Sequence, residues 1–273
     1  MNIYEEIKKI QPLKKEWSNI CQKHWDNITK PLDSLGLLER AIIKIGTIAE
    51  TEQVNLDKKA VIAMCADNGV VAEGVTQTDN SVTAIVTENM AAGIANVNVM
   101  GRFSKTDVFT VDIGVAGDLH NPNIINRKIA KGTKNFAKEP AMTKEQAERA
   151  IAVGIEIVGD LKANNYKIIG LGEMGIGNTT TSSALTAVFL NKFVAEVTGP
   201  GAGLSKAGVQ RKIQVIEKAI ELHNPNPNEP LSVLAALGGF DIAGLVGVII
   251  GCAVYRIPVV LDGFISYAAA LTA

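Results

Sequence analysis

Lys167-Ile-Ile-Gly-Leu-Gly-Glu-Met-Gly-Ile-Gly-Asn-Thr-Thr-Thr-Ser-Ser-Ala-Leu185 is the stretch from which the architecture is read. The apolar run Ile168 to Leu171 is short enough for a buried strand. It passes through Gly170, Gly172, Gly175 and Gly177 into a polar block, Asn178 to Ser183. A helical pattern follows through Ala184, Leu185, Ala187, Val188 and Leu190. Strand, glycine loop and hydroxyl-rich helix start are the parts of a phosphate site. Glycines let the backbone close on the anion, and the free N–H groups of the first helical turn point at it.

The same residues also satisfy Gly170-x-Gly172-x-x-Gly175, formally a dinucleotide fingerprint, with Glu196 about 20 residues on as a candidate ribose acid. Glu173 argues against it, because a fixed negative charge between the second and third glycines repels a pyrophosphate. That carboxylate suits sugar hydroxyls, or positive charge developing on a sugar carbon.

Outward from this stretch the theme repeats. Ala60 to Ala66 ends in Asp67-Asn68-Gly69, Asp107 to Val111 ends in Asp112-Ile113-Gly114, and Ile257 to Leu261 ends in Asp262-Gly263. Phe193 to Val197 reads as a further strand, closing on Thr198-Gly199-Pro200-Gly201-Ala202-Gly203. Apolar runs that end on acids or glycines, separated by helical patterns, predict an α/β fold: a parallel sheet with crossover helices. Ligands of such sheets bind beyond the carboxyl ends of the strands, so these acids and glycines are predicted to converge.

Helix signals fill the gaps. Thr143 with Gln146 three residues later predicts a capped helix. Gly208 to Leu222 places Arg211 and Lys212 just after the 199–203 loop, either as anion ligands or as a solvated face. Tyr4 to Glu50 is helical in pattern with a break at Thr29 to Gly36, where Asp33 or Ser34 could cap the next helix. Leu231 to Val254 approaches the apolarity of a membrane span. Asp241 and its many glycines instead predict a buried helix packed tightly on the sheet or on a second subunit.

Composition narrows the class. The chain has 273 residues, a formal net charge of −1 and 5% aromatics, which gives no support for a nucleic-acid partner. Cys21, Cys65 and Cys252 are isolated and His24, His120 and His223 are far apart, so neither a disulfide framework nor a metal site is indicated. No secretory signal opens the chain, and a cytoplasmic location is expected.

Gly172-Glu-Met-Gly-Ile-Gly-Asn-Thr-Thr180 resembles the central motif of the nicotinate-nucleotide–dimethylbenzimidazole phosphoribosyltransferases. The likeness extends in collinear order through Lys30-Pro31, Ser34 to Glu39, Ala66 to Val70, Glu73 to Val75, Val111 to Gly114, Leu237 to Ala243 and Ile257 to Ser266. The resemblance implies a Rossmann-like sheet with a small helical subdomain, placed at residues 1–56 before an α/β domain at 57–273. It implies a homodimer, no cofactor, and nicotinate mononucleotide and a benzimidazole-type base as substrates. Phosphoribose would pass from the nucleotide to 5,6-dimethylbenzimidazole with inversion at the anomeric carbon.

Carried over by motif, Glu173 would face the ribose, with Gly175, Gly177, Asn178 and Thr179 near the phosphate. Gly201 and Gly203 would continue that pocket, and Lys212 would supply the positive partner. Asp262 and Ser266 would lie at the nicotinate end, and Thr76 and Asn80 in the loop for the acceptor base. Asn68 stands where the family usually has histidine, Asp33 where it has glycine, and Asp79 and Asn80 where it has a proline-containing pair. The resemblance further implies a segment beyond Ala273 carrying a general-base glutamate. The 273-residue form is therefore expected to be weak or inactive alone, or to act as a nucleotide-binding subunit that a partner chain completes.

Overall fold

Ala60 to Ala66 is apolar throughout because both of its faces are covered, as in a central parallel strand. A computed structural model describes residues 1–273. It places this run in β1 (Lys59–Ala66), between β2 (Thr106–Gly114) and β4 (Ile168–Met174). Two-residue strands β3 (Ile125–Asn126) and β5 (Val259–Val260) form the edges. Every pairing is parallel, and the order is β3-β2-β1-β4-β5.

Helices α1 (Ile3–Ile7), α2 (Lys15–Asp26) and α3 (Leu37–Ala49) precede the sheet, and α4 (Ser81–Ala91) and α5 (Asn96–Ser104) join β1 to β2. Next comes α6 (Lys144–Ala163), whose Thr143 and Gln146 form the reciprocal cap that their spacing predicts. After β4 come α7 (Asn178–Leu190), α8 (Val194–Val197), α9 (Lys206–His223), α10 (Pro230–Leu237) and α11 (Phe240–Tyr255); α12 (Phe264–Thr272) follows β5.

Alternation along β1 sends Ile62 and Met64 into the large core shared with α6 and α11. Ala63 and Cys65 go to a smaller cluster with Met90 of α4 and Val115. The larger core depends on close approach of α6 and α11. A Cβ on Gly247 would lie 2.0 Å from the Ile151 carbonyl oxygen, and one on Gly154 would lie 2.3 Å from that of Gly244. The glycines of α11 thus pack on α6 and on β1 within one chain, and no helix is long and apolar enough to cross a membrane.

Three readings change. Phe193 to Val197 is not a strand: residues 194–197 form the short helix α8 beside α7 and α9. β5 already occupies the sheet edge beside β4, and Phe193 is left 81% exposed. The segment 231–254 is two helices rather than one, because Gly238 and Gly239 adopt extended conformations between them. Neither Asp33 nor Ser34 caps α3. Gly36 stands at the cap with φ +55°, and the buried Glu39 of the first turn pairs with Lys30 Nζ at 2.8 Å.

Gly247→Ala tests the α6–α11 contact. Helix propensity favours alanine by about 1 kcal/mol, whereas forcing a methyl against a backbone carbonyl costs more. A net loss of about 1–3 kcal/mol in urea unfolding is expected. An unchanged midpoint would show that the two helices separate without cost.

Candidate active site

Chain connections leave β1 towards β2 and leave β4 towards β5, so the sheet's switch point lies between β1 and β4, where α/β sheets open a crevice. A cavity of about 370 Å³ lies at the carboxyl end of β4. Thr76, Gln77, Glu173 and residues 175–179 line one part, and residues 200 and 202–204 line another. Larger hollows, of about 810 and 740 Å³, lie between α3 and the amino-terminal side of the sheet and contain none of the predicted site residues.

β4 continues through Glu173, so Gly170 and Gly172 are strand residues that leave room for Val61 of β1. They are not part of a loop, and the dinucleotide fingerprint loses its geometry. Glu196 is spent on Lys192, 3.7 Å away. The loop proper starts at Gly175. A Cβ there would lie 2.4 Å from Asp241 Oδ2, 2.7 Å from the Ala66 carbonyl and 3.0 Å from Asn68 Nδ2. Asn68 braces the loop by donating to the Ile176 carbonyl at 3.4 Å, while Ile176 N–H donates to Thr83 Oγ1 at 3.2 Å. Gly177, at φ +94°, turns the chain into α7, leaving its own N–H and that of Thr179 without a protein acceptor. Those two donors belong to cavity-lining residues at a helix start, the position at which helices bind anions.

Lys212 lies behind Thr179 rather than in the cavity lining. It is 1% exposed, and its Nζ donates to Thr179 Oγ1 at 2.8 Å and to the Gly199 carbonyl at 3.5 Å. No carboxylate pairs with it, and burial lowers its pKa from 10.5 to about 8. A buried ammonium without a counter-ion is costly, and an anion bound beside Thr179 would supply the missing charge. Arg211 does not share the role: it is exposed, and its guanidinium donates to the Gly74 carbonyl at 3.4 Å.

Carboxylates gather on the opposite wall. Glu173 is half-buried, and Asn178 Nδ2 donates to both Glu173 Oε2 and, at 2.8 Å, Asp241 Oδ2. Burial raises the Glu173 pKa; the Asn178 donor opposes the rise, and the charge of Asp262 adds to it. Asp241 is fully buried, and burial pushes it up to about 7.

The fold therefore brings Glu173, Gly175, Gly177, Asn178, Thr179, Gly203 and Thr76 to one cavity. Gly201 lies against Thr179, where a Cβ would meet Oγ1 at 2.9 Å. Asp262 is near enough to act electrostatically on Glu173, whereas the buried Ser266 serves locally, accepting from Asp262 N–H at 2.9 Å and donating to the Gly263 carbonyl. Asn80 precedes α4 and does not line the cavity. Gln77, Asn68 and Asp241 stand at or beside the cavity without a site role assigned to them from the sequence. Gln77 Nε2 donates to the Gly203 carbonyl and ties the 76–80 segment to the phosphate loop. The one available signal was a charge inside the apolar run at Asp241.

A switch-point cavity with a glycine loop, a helix start and a carboxylate, backed by a buried unpaired lysine, is an arrangement found in nucleotide-phosphate-binding α/β proteins. The family model described as phosphoribosyltransferase matches residues 10–273, and the chain belongs to that family. It is 48% identical over 273 residues to the nicotinate-nucleotide–dimethylbenzimidazole phosphoribosyltransferase of Ruminiclostridium cellulolyticum, spanning 100% of this chain and 78% of that protein. It is 47% identical to the enzyme of that name from Clostridium acetobutylicum, with the same coverage. The crystal structure of CobT from Thermus thermophilus superposes with a TM-score of 0.89 at 35% identity, covering 94% of this chain and 77% of that one.

Lys212→Met gives two linked readouts. Below pH 8 the lysine is protonated in both folded and unfolded chains, and the cost of burying its charge is fully present. Between 8 and 10.5 only the unfolded chain keeps the proton, so stability rises with pH. The variant is expected to unfold about 2 kcal/mol later in urea at pH 7, and to lose that rise. Lys212→Ala should weaken nucleotide binding by about 1.5–3 kcal/mol, the worth of one charge-assisted bond, in calorimetry. Unchanged affinity would remove Lys212 from the phosphate site.

Proposed function

We propose that this protein transfers the phosphoribosyl group of nicotinate mononucleotide to 5,6-dimethylbenzimidazole, releasing nicotinate and α-ribazole 5′-phosphate for the lower ligand of cobalamin. The observation that carries this reading is the buried, unpaired Lys212 bonded to Thr179, a residue that lines one cavity together with Glu173. A phosphate held at the α7 start and Lys212 places the attached ribose against the β4 end. The enzymes named for this reaction, at 48% and 47% identity over the full chain, support the choice of substrates.

In the transfer, the bond from C1′ to the pyridinium nitrogen breaks and its electron pair leaves with nicotinate. The lone pair of the azole's unprotonated ring nitrogen forms the new bond to C1′ from the opposite face, and the proton on its other ring nitrogen is released to water. The transition state has oxocarbenium character, so the Glu173 carboxylate beside the ribose stabilises charge that exists only there. Gly175, Gly177, Thr179, Gly201, Gly203 and Lys212 hold the phosphate, Asn178 lies beside it with its donors on Glu173, Asp241 and the Gly175 carbonyl, Asp262 flanks the nicotinate end, and Thr76 faces the acceptor. This reading places the chemistry in the 57–273 α/β portion and leaves residues 1–56 as a helical subdomain.

The reading also includes a homodimer working in the cytoplasm. The three buried cysteines, all free, suit a reducing compartment. Burial of the glycine-rich helix gives no reason for dimerisation, since α6 covers it. Exposed apolar side chains on and around α5 give a better one: Ile94, Met100 and Phe103, the last 90% exposed.

Glu173→Gln tests the assignment. In an assay of nicotinate release from nicotinate mononucleotide with 5,6-dimethylbenzimidazole, kcat should fall about 10²–10³-fold, as when one aimed charge or donor is removed. Nucleotide affinity should stay within a few-fold. Wild-type turnover from the variant would exclude Glu173 from the chemistry. Light scattering at micromolar concentration should give twice the chain mass, and a monodisperse monomer would end the dimer reading.

A further inference from the structure

Asp241 has no charge partner, does not itself line the cavity and occupies the first turn of a helix otherwise built from apolar residues and glycines. Burying a carboxylate this completely is unfavourable unless hydrogen bonds replace its lost hydration. Its side-chain donor is Asn178. The two hydrogens of the Asn178 amide nitrogen are divided between Asp241 Oδ2 and Glu173 Oε2. One acceptor alone would leave the amide free to rotate about its last torsion. Two acceptors on opposite sides fix its plane, and with it the carboxylate of Glu173.

The surroundings are shaped around this link. Gly175 and Gly239 are both places where a Cβ would lie 2.4 Å from an Asp241 oxygen, so the loop after β4 and the break before α11 both close directly on this side chain. The groups facing Asp241 are Glu173 from β4, Asn178 from α7, and Cys65 and Asn68 from β1 and the residues just beyond it. None is a cation. Lys212, the one buried ammonium of the site, is engaged with Thr179 instead.

We propose that Asp241 is a positioning residue for the phosphoribosyl transfer, acting through the Asn178 amide to hold the Glu173 carboxylate at the cavity wall. The inference rests on the proposed reaction for its kinetic meaning, while its structural content stands on the Asp241–Asn178–Glu173 link alone. Asn178 is also the first residue of α7, so the same amide ties the acid to the helix start that receives the phosphate.

Asp241→Ala removes one acceptor and frees the amide. Loss of a supporting carboxylate behind a functional group typically costs about 10–100-fold, and kcat for nicotinate release should fall by that factor. The nucleotide dissociation constant should stay within about three-fold, because the phosphate donors are untouched. Asp241→Asn keeps a carbonyl acceptor of the same shape and should recover at least about ten-fold of the loss. With Glu173→Gln already in place, Asp241→Ala should cost less than about three-fold more, since residues acting as one unit are not additive.

Wild-type kcat in Asp241→Ala, or a full additional loss on top of Glu173→Gln, would overturn the proposal. Where Asp241→Ala does not fold, Asp241→Asn in the Asn178→Ala background takes its place. A further loss above about three-fold there would show that Asp241 acts other than through Asn178. A readout independent of turnover is the crystal structure of Asp241→Asn and, where it folds, of Asp241→Ala. In the alanine variant the Asn178 amide and Glu173 carboxylate should leave their places; in the asparagine variant they should keep them. An unmoved pair in the alanine variant, or a displaced pair in the asparagine variant, would refute the link. If the wild-type chain released no nicotinate, the reaction assigned above would fall, and the crystal structures would still decide the role of Asp241.

Discussion

Everything at the carboxyl edge of the sheet depends on the passage of Gly175 through a gap with no room for a side chain. On one side is the last carbonyl of β1, at Ala66, and on the other the Asp241 carboxylate at the start of α11; Asn68 closes the third side. Any residue larger than glycine would push β4 away from β1 or α11 away from the sheet. The next turn of chain, at Gly177, takes a positive φ, and α7 then starts with free N–H groups at the switch point. The glycine loop is therefore a consequence of how tightly three elements converge as well as a device for reaching an anion.

That convergence rests on the layer beneath it. α11 can bring Asp241 to Gly175 only because its other face lies backbone to backbone against α6, through Gly154, Gly244 and Gly247. Packing at this distance leaves no slack, since interiors are as dense as organic crystals. Stability and site geometry are coupled here: the same helix provides core on one side and a buried acid on the other.

Electrostatically the cavity keeps charges apart rather than cancelling them. A lysine without a carboxylate sits behind Thr179, and carboxylates without a cation sit behind Asn178. Pairing Lys212 with Glu173 would be more stable in the empty protein and useless to a substrate. Holding both uncompensated costs folding energy, and in the proposed reaction a phosphate and an electron-poor sugar would complete the site.

The amino-acid sequence alone determined the α/β class, four of the strands, the capped α6, and the glycine loop with Glu173. These signals are local: a buried strand is apolar along its length, and a cap or a turn is written in adjacent residues. Collinear motifs extended that reading to the family. Tertiary structure decided the rest. Phe193 to Val197 has a strand's composition but no free sheet edge, so it became α8. Lys212 and Arg211 are adjacent in sequence, yet the helical rotation between neighbours buries one at Thr179 and sends the other to Gly74. Asp241 read as an interruption in an apolar run because its partner, Asn178, lies 63 residues away. Sequence pattern reports what a residue's own element needs, and a site assembled from three elements is settled only when they pack.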